Sequence, residues 1–386
     1  MSDDQPMLPT LDDLDALRAL FPVTRDWVFL NHAALAPLPA PAAERLAAGA
    51  HEAAARGDAR WPGWNDEIGR VREAAGRLLG VEATSVAFVE NTSVALSLVA
   101  EGLAWEAGDN VVTADCEYPS NVYPWMNLGR FGVELRMVEE RDHRVPAEAV
   151  IERIDARTRV VALSWVQYAS GFRADLEAIG AACRERGALF VVDAIQGLGA
   201  LRLDAAALPV DAVAAATHKW LLGTEGLALL WLGDRALDRL HPTRAGWRSM
   251  AHTFDWDRLE IEWNEGALRF EPGTLNTLGI LALGRSLDLL LALGPERVEA
   301  RVLALADRAA GGAAAAGLRV ISPRGAGERS GIVSLVHPRR PADELAARLE
   351  ERGIRVASRG GRLRLAPHVY NTEGEIDRVL AELAEA

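Results

Sequence analysis

Seven short apolar runs, separated by stretches of helical spacing, narrow the folds open to this chain more than any other feature. They are Val86–Val89, Asn110–Ala114, Val133–Val138, Val160–Ser164, Leu189–Val192, Ala212–Ala215 and Gly226–Leu232. Short strands that are apolar without alternation are buried on both faces, and strand–helix alternation builds a mostly parallel sheet with helices on either side. Helical spacing shows in Ile68, Val71, Ala75 and Leu78, closed by Gly80 as a C-terminal cap. Past about Gly284 the pattern changes. A Leu/Ala helix, Ile280–Leu293, leads into a smaller α+β unit with strands near Gly331–Val336 and Arg362–Leu365 and helices over Pro341–Arg352 and Thr372–Ala386. The expected fold class is therefore α/β: a large domain over residues 26–284 with a mostly parallel seven-stranded sheet, and a small C-terminal domain over 285–386. Residues 1–25 form a segment expected to pack on the small domain.

Chemistry concentrates where those strands end. The run Leu189–Val192 closes on Asp193, Gln196 follows, and Lys219 stands after the next strand in Ala215-Ala216-Thr217-His218-Lys219-Trp220. An acid, an amide and a lysine so ordered suit pyridoxal 5'-phosphate. The lysine amine can form a Schiff base with the cofactor aldehyde, and the carboxylate can keep the pyridine nitrogen protonated so that the ring acts as an electron sink. The amide can hydrogen-bond the ring oxygen. A phosphate needs helix N-terminal amides and nearby hydroxyls, which Asn91-Thr92-Ser93 supplies at the end of Val86–Val89. The same two hydroxyl residues also serve as plain helix caps.

These separated motifs, spread from about Phe29 to Asp377, resemble the class V aminotransferases. That group of fold-type I pyridoxal phosphate enzymes includes cysteine desulfurases, isopenicillin N epimerase and kynureninase. The resemblance implies a large cofactor-binding domain, a small domain closing over substrate, and a homodimer. It places Thr92 and Ser93 at the phosphate, Asp193 and Gln196 on the ring, and Lys219 as the covalent anchor. Tyr118, in Asp115-Cys116-Glu117-Tyr118-Pro119-Ser120-Asn121, falls where desulfurases stack a histidine on the ring, and a tyrosine face stacks on pyridine as well. Either Gln167 or Tyr168 faces the cofactor. Ala216 holds a position where the family often has a phosphate-binding serine, with Thr217 as the candidate replacement. His218 either assists at the cofactor or braces the loop.

In Arg269-Phe270-Glu271-Pro272-Gly273-Thr274-Leu275-Asn276 the resemblance makes Thr274 a ligand of the neighbouring subunit's phosphate. Near the C-terminus it makes Arg364 the grip on the substrate α-carboxylate, since a planar guanidinium meets a carboxylate with two parallel hydrogen bonds. Arg359 and Arg362 are competing candidates. Asn31 and His32, in Phe29-Leu30-Asn31-His32-Ala33-Ala34, match a segment beside the substrate, and equally suit capping of the helix that starts near Ala40.

The stretch before Arg364 carries no cysteine, whereas desulfurases place one there on a mobile loop. A persulfide-forming desulfurase is therefore disfavoured. The leading reading is an aminotransferase or C–S lyase acting on an α-amino acid, with amino-acid epimerase and non-catalytic cofactor-binding protein as alternatives. A nicotinamide site at Gly197-Leu198-Gly199 fails because the third fingerprint glycine would be Arg202. Net charge of −13 without a Lys/Arg run argues against nucleic acid and anionic membranes as partners, leaving a small-molecule substrate. Two cysteines, an acidic N-terminus and the lack of a long apolar span point to a cytoplasmic protein. No metal site is expected.

Overall fold

The computed structural model describes residues 8–385. The chain enters through a short strand, β1 (Val28–Phe29), and two helices, Ala40–Arg56 and Trp61–Leu79. It then lays down β2 (Val86–Val89), β3 (Asn110–Ala114), β4 (Glu134–Val138), β5 (Thr158–Ser164), β6 (Leu189–Asp193), β7 (Ala212–Ala216) and β8 (Ala228–Leu232). These form one sheet in the order β2-β8-β7-β6-β5-β3-β4. Only β8 runs against its neighbours, so β2 points the same way as the other five strands. Every strand but β8 therefore delivers its C-terminal end to one edge, where ligands of open α/β sheets bind.

Side chains alternate across the sheet. Val161, Leu163, Phe190, Val192 and Val213 join a core with Ile68, Val71, Ile179 and Leu283, while Val160, Ala162, Leu189 and Val191 join another with Leu96, Val99 and Trp125. Both faces are thus covered by helices, which explains the unbroken apolar runs. The expected strands appear with ends shifted by at most two residues. Gly226 and Leu227 fall outside β8 because Gly226 has φ of 73° and belongs to the preceding turn.

Helix Thr277–Leu293 ends at Gly294 (φ 82°), as expected at Leu293, and Pro295 opens a second long helix, Pro295–Ala315, which the sequence reading did not name. The remaining strands are β9 (Arg319–Val320), β10 (Val333–Val336), β11 (Ile354–Arg355), β12 (Ala357–Arg359) and β13 (Arg362–Leu365). Four of them make an antiparallel sheet ordered β12-β13-β10-β9, backed by helices Ala342–Glu351 and Glu373–Ala384. β11 pairs in parallel with β1, and Val28 and Leu30 are buried with Leu305, Leu335, Leu365 and Ile376. The N-terminal arm thus extends its contact with the small unit beyond residue 25. Residues 1–7 and the last position of the expected C-terminal helix lie outside the described residues. Arg18 donates to the Tyr370 carbonyl at 2.8 Å and to Glu375 at 2.9 Å, and Phe21 stacks on Tyr370 with centroids 4.0 Å apart.

The loop that follows β7 is closed tightly. The Gly223 amide donates to the Thr217 carbonyl at 2.8 Å, and the Leu222 amide to the Lys219 carbonyl at 3.0 Å. Leu222 takes φ of 57°, an uncommon conformation for a residue with a side chain. Its carbonyl accepts from Ser286 at 2.7 Å, which ties the turn to the helix beneath. Gly199 packs on this loop. It has φ of 100°, and a Cβ there would lie 2.3 Å from the Trp220 carbonyl oxygen. Gly199→Ala combines a disfavoured backbone conformation with that clash, for an expected loss of about 2–4 kcal/mol. Chemical denaturation measures it, and an unchanged midpoint would mean that the lysine loop yields without cost.

Candidate active site

The C-terminal ends of β2, β3, β5, β6 and β7 surround a cavity of about 280 Å³. From the central sheet it is lined by Thr92, Ser93, Tyr118, Ser164, Tyr168, Asp193, Gln196, His218 and Lys219; from the N-terminal arm by Ala33 and Ala34; from the small unit by Arg359 and Arg364. Strand–helix alternation thus brings together residues more than a hundred positions apart.

Helix Thr92–Gly102 aims its N-terminus at this cavity, and its first-turn amides have no acceptor within the helix. The cap is Asn91, whose side chain takes the Val94 amide at 2.9 Å, so Thr92 and Ser93 are free of that duty. Thr92 Oγ1 accepts from the Ala216 amide at 3.1 Å, joining the helix to the strand that leads to Lys219. Ser93 Oγ donates to Ser120 Oγ at 2.8 Å.

Asp193 and Lys219 are both nearly enclosed. Burial pushes the Asp193 carboxyl up, and nearby Glu117 adds to this, while the Ile195 amide at 2.9 Å and the charge of Lys219 pull it down. Burial pushes the Lys219 amine down; Asp193 counters this, and Arg364 and Arg359 reinforce it. A lysine so placed is more easily deprotonated than a solvated one, as a nucleophilic amine requires. Its Nζ lies 5.6 Å from the centroid of the Tyr118 ring, which meets Tyr168 edge-on at 5.2 Å. Burial also lowers His218, with the charge of Lys219 adding to it.

Tyr168, not Gln167, lines the cavity. Gln167 instead donates at 2.7 Å to Glu117, a buried carboxylate that the sequence reading did not single out. Glu117 also accepts from the Ser164 amide at 2.7 Å, the Ser164 hydroxyl and Asn121 Nδ2 at 3.0 Å. Burial pushes its pKa up while these donors pull it down. It locks the Tyr118 loop to the end of β5. Its place directly before the aromatic position, after a strand, was the available signal.

Arg364 is 1% exposed. Its Nη1 donates to the Tyr168 carbonyl at 2.7 Å, whereas Nε and Nη2 have no partner among the described residues. Burial, then the charge of Arg359, lowers its pKa to about 10. A buried guanidinium with two free donors is costly unless an anion completes it.

Three expected residues depart from their assignments. Thr217 Oγ1 turns away from the cavity and donates to the Thr224 carbonyl at 2.7 Å; the hydroxyl at the Ala216 amide comes from Thr92 instead. His32 is fully buried, with Nδ1 bonded to the Ala366 carbonyl and Nε2 to the Tyr370 hydroxyl, both at 2.8 Å, so neither nitrogen is left for a substrate. Asn31 is also off the cavity, bridged to Ala366, with Ala33 and Ala34 on the wall in its place. Thr274 lies away from this cavity, in a separate depression with Phe88, Glu90, Gly226 and Arg244.

A doubly wound sheet whose strand ends bring together an enclosed lysine, an enclosed aspartate and a helix N-terminus defines a pyridoxal-phosphate-type site. Residues 28–379 match the family Aminotransferase class-V, and the chain belongs to it. It is 30% identical over 324 residues to "Uncharacterized aminotransferase YcbU" of Bacillus subtilis, covering 83% of this chain and 85% of that one. It is 32% identical over 294 residues to a "Probable cysteine desulfurase" of Aeropyrum pernix, covering 74% and 71%. Among solved structures, the cystine C–S lyase C-DES in complex with cysteine persulfide superposes with a TM-score of 0.88 at 25% identity, over 95% of this chain and 99% of that one. A variant of the same lyase carries glycine covalently linked to its PLP cofactor. The apo cysteine desulfurase of Thermococcus onnurineus shares the fold, with a TM-score of 0.86 at 24% identity over 99% and 98%. The chain is a PLP-dependent enzyme, a transferase or a lyase.

The residues fit that cofactor: amides and hydroxyls for a phosphate at one end, a carboxyl beneath the cavity, and a lysine whose charge burial disfavours. Among the described residues, no cluster of His, Cys, Asp or Glu suits a metal, and no single helix is long and apolar enough to cross a membrane.

The lysine loop is braced by buried histidines. His368 Nε2 donates to the Trp220 carbonyl at 3.0 Å, the Val369 amide donates to its Nδ1, and its ring lies 5.1 Å from that of His32. Burial lowers both, His368 to about 4, and His368 also lowers His32. Because the folded values lie below the unfolded value near 6.5, the unfolded chain takes up protons first as the pH falls. Stability is expected to drop between pH 6.5 and about 4, on the order of 3 kcal/mol from His368 alone. Denaturation midpoints across that range test this; a His368→Asn variant should show a shallower slope than the wild type.

Proposed function

We propose that this enzyme acts at Cα of an α-amino acid and cleaves a carbon–sulfur bond at Cβ. The observation that carries the reading is Arg364, whose buried Nε and Nη2 lack partners on the cavity that also holds Lys219. The α-carboxylate supplies the missing anion and orients Cα toward the lysine. When bound, the cofactor supplies an electron sink for the pair left when Cα loses its proton.

In this proposal Lys219 would hold the cofactor, and its Nζ would move the Cα proton. Asp193 would serve the pyridine nitrogen, Gln196 the ring oxygen, and Tyr118, with Tyr168 at its edge, the ring face. Thr92, Ser93 and the first-turn amides hold the phosphate, and His218 beside Lys219 keeps the loop close. Thr274, outside its own cavity, serves the cavity of a second copy of the chain, so that the functional unit is a homodimer.

Cleavage without an enzyme-bound persulfide fits the cysteines. Burial, then Glu117 and Glu140, raises the Cys116 thiol far above its usual range. Cys183 is buried and pushed up to about 12. Neither is a ready thiolate nucleophile, and the strand–turn before Arg364 carries no cysteine. The likeness to the cystine C–S lyase supports this choice. Aminotransfer, suggested by the Bacillus relative, needs the same residues and differs in where Lys219 returns the proton.

Mixing the holoenzyme with S-substituted cysteines is expected to yield pyruvate, ammonia and the released thiol without conversion of the cofactor to its amine form; that conversion, with release of a keto acid from these or other L-amino acids, would identify an aminotransferase instead. Lys219→Ala should lose covalent retention of the cofactor after borohydride reduction, and retained label would move the anchor elsewhere. Arg364→Ala should weaken amino-acid binding by about tenfold or more, the equivalent of about 1.5–3 kcal/mol for a charge-assisted pair. Spectral titration reads it, and unaltered affinity would assign the carboxylate to another group.

A further inference from the structure

Strands β12 and β13 form a hairpin through Gly360 (φ 57°) and Gly361 (φ 74°), two consecutive positive φ values that fix a tight turn and its register. Arg359 stands opposite Arg362, and Ala357 opposite Arg364. Side chains directly across an antiparallel pair share a face, as do positions two apart on one strand, so Arg359, Arg362 and Arg364 lie on the same side. Like charges set across from each other destabilise a hairpin unless anions offset them.

The protein offers little offset. Arg362 comes only within 3.9 Å of Glu140, and Arg359 makes no ion pair among the described residues, its Nη1 donating to the Ser358 carbonyl at 2.8 Å. Arg359 and Arg364 both reach the cavity, where Lys219 is a further cation and Asp193 the single carboxylate on the wall among the described residues. The cofactor phosphate belongs at the opposite side, at Thr92 and Ser93. One α-carboxylate satisfies Arg364 and leaves Arg359 facing the same space.

We infer that the substrate carries a second acid group on its side chain, a carboxylate or a comparable oxyanion, and that Arg359 is the specificity residue that receives it. The inference rests on the reading of this cavity as an amino-acid site held at Arg364. Arg359 shares that face with Arg364 but stands next to the hairpin turn, exposed where Arg364 is buried, and so faces the cavity from its solvent side. A monoanionic substrate would leave this guanidinium in water, close to two other cations.

Calorimetric titration of the holoenzyme at 0.15 M ionic strength, roughly the physiological value, tests this without turnover, using propionate, succinate and glutarate as probes. The better of the two dicarboxylates is expected to bind about tenfold tighter than propionate, the effect of one added charge-assisted contact. Arg359→Gln should close that gap, with thermal melting as the check on folding, while Arg364→Gln should weaken all three acids. The inference is overturned if the wild type does not favour dicarboxylates, or if Arg359→Gln weakens propionate and dicarboxylates equally. Propionate binding that depends on Arg364, with no gain from a second acid, would overturn the inference alone. No binding by any acid, together with no amino acid altering the cofactor absorption, would overturn the amino-acid site as well.

Discussion

The structure turns on charges held out of water. Asp193, Lys219 and Arg364 meet in one small cavity, and each is nearly closed to solvent. Burial of ionised groups is expensive unless partners replace the lost hydration. The Ile195 amide supplies part of that replacement for Asp193, and the Tyr168 carbonyl part of it for Arg364. What the chain does not supply, a ligand must. The cavity is therefore built to be completed: its residual imbalance favours the cofactor and, in the proposed reading, an anionic substrate.

The central sheet makes this arrangement possible by geometry alone. With β8 as the one reversed strand, the ends of the parallel strands all open on the same side, and those of β2, β3, β5, β6 and β7 line the cavity. The supports behind them are polar and buried. Glu117 gathers four donors beneath Tyr118, and Glu271 gathers Arg72, Arg248 and the Phe88 amide beside the strand leading to Thr92. Such networks hold side chains in place because every rearrangement leaves a buried group unpaired.

Much of this was legible in the sequence, for a physical reason. Apolar runs buried on both faces declare themselves without knowledge of partners, so the central strands were found almost to the residue. Asp193 was legible because it closes β6 and a strand end fixes where its last residue points; Lys219, three residues past β7, was legible from its order after an acid and an amide. Side-chain direction inside a loop was not. Thr217 and Thr92 are equally plausible hydroxyls on paper, and only the turn closed by Gly223 sends the first toward Thr224. His32 was read as a substrate neighbour because its partners, Ala366 and Tyr370, lie more than three hundred residues away and become contacts only once the small unit has docked. Helix Pro295–Ala315 was not named, although the preceding helix was ended correctly at Leu293 and Gly294-Pro295 carries a stop followed by a start.

Arg364 belongs to a strand of the small unit, yet the one hydrogen bond its guanidinium makes among the described residues crosses to the carbonyl of Tyr168 on the large one. The proposed grip on the substrate carboxylate is thus assembled across a seam. Anything that slides the two units apart dismantles the grip and its anchor together, so affinity for substrate doubles as a gauge of how the halves are seated. Substitutions far away, in the N-terminal arm that straddles the seam, would then masquerade as binding defects although they touch no ligand.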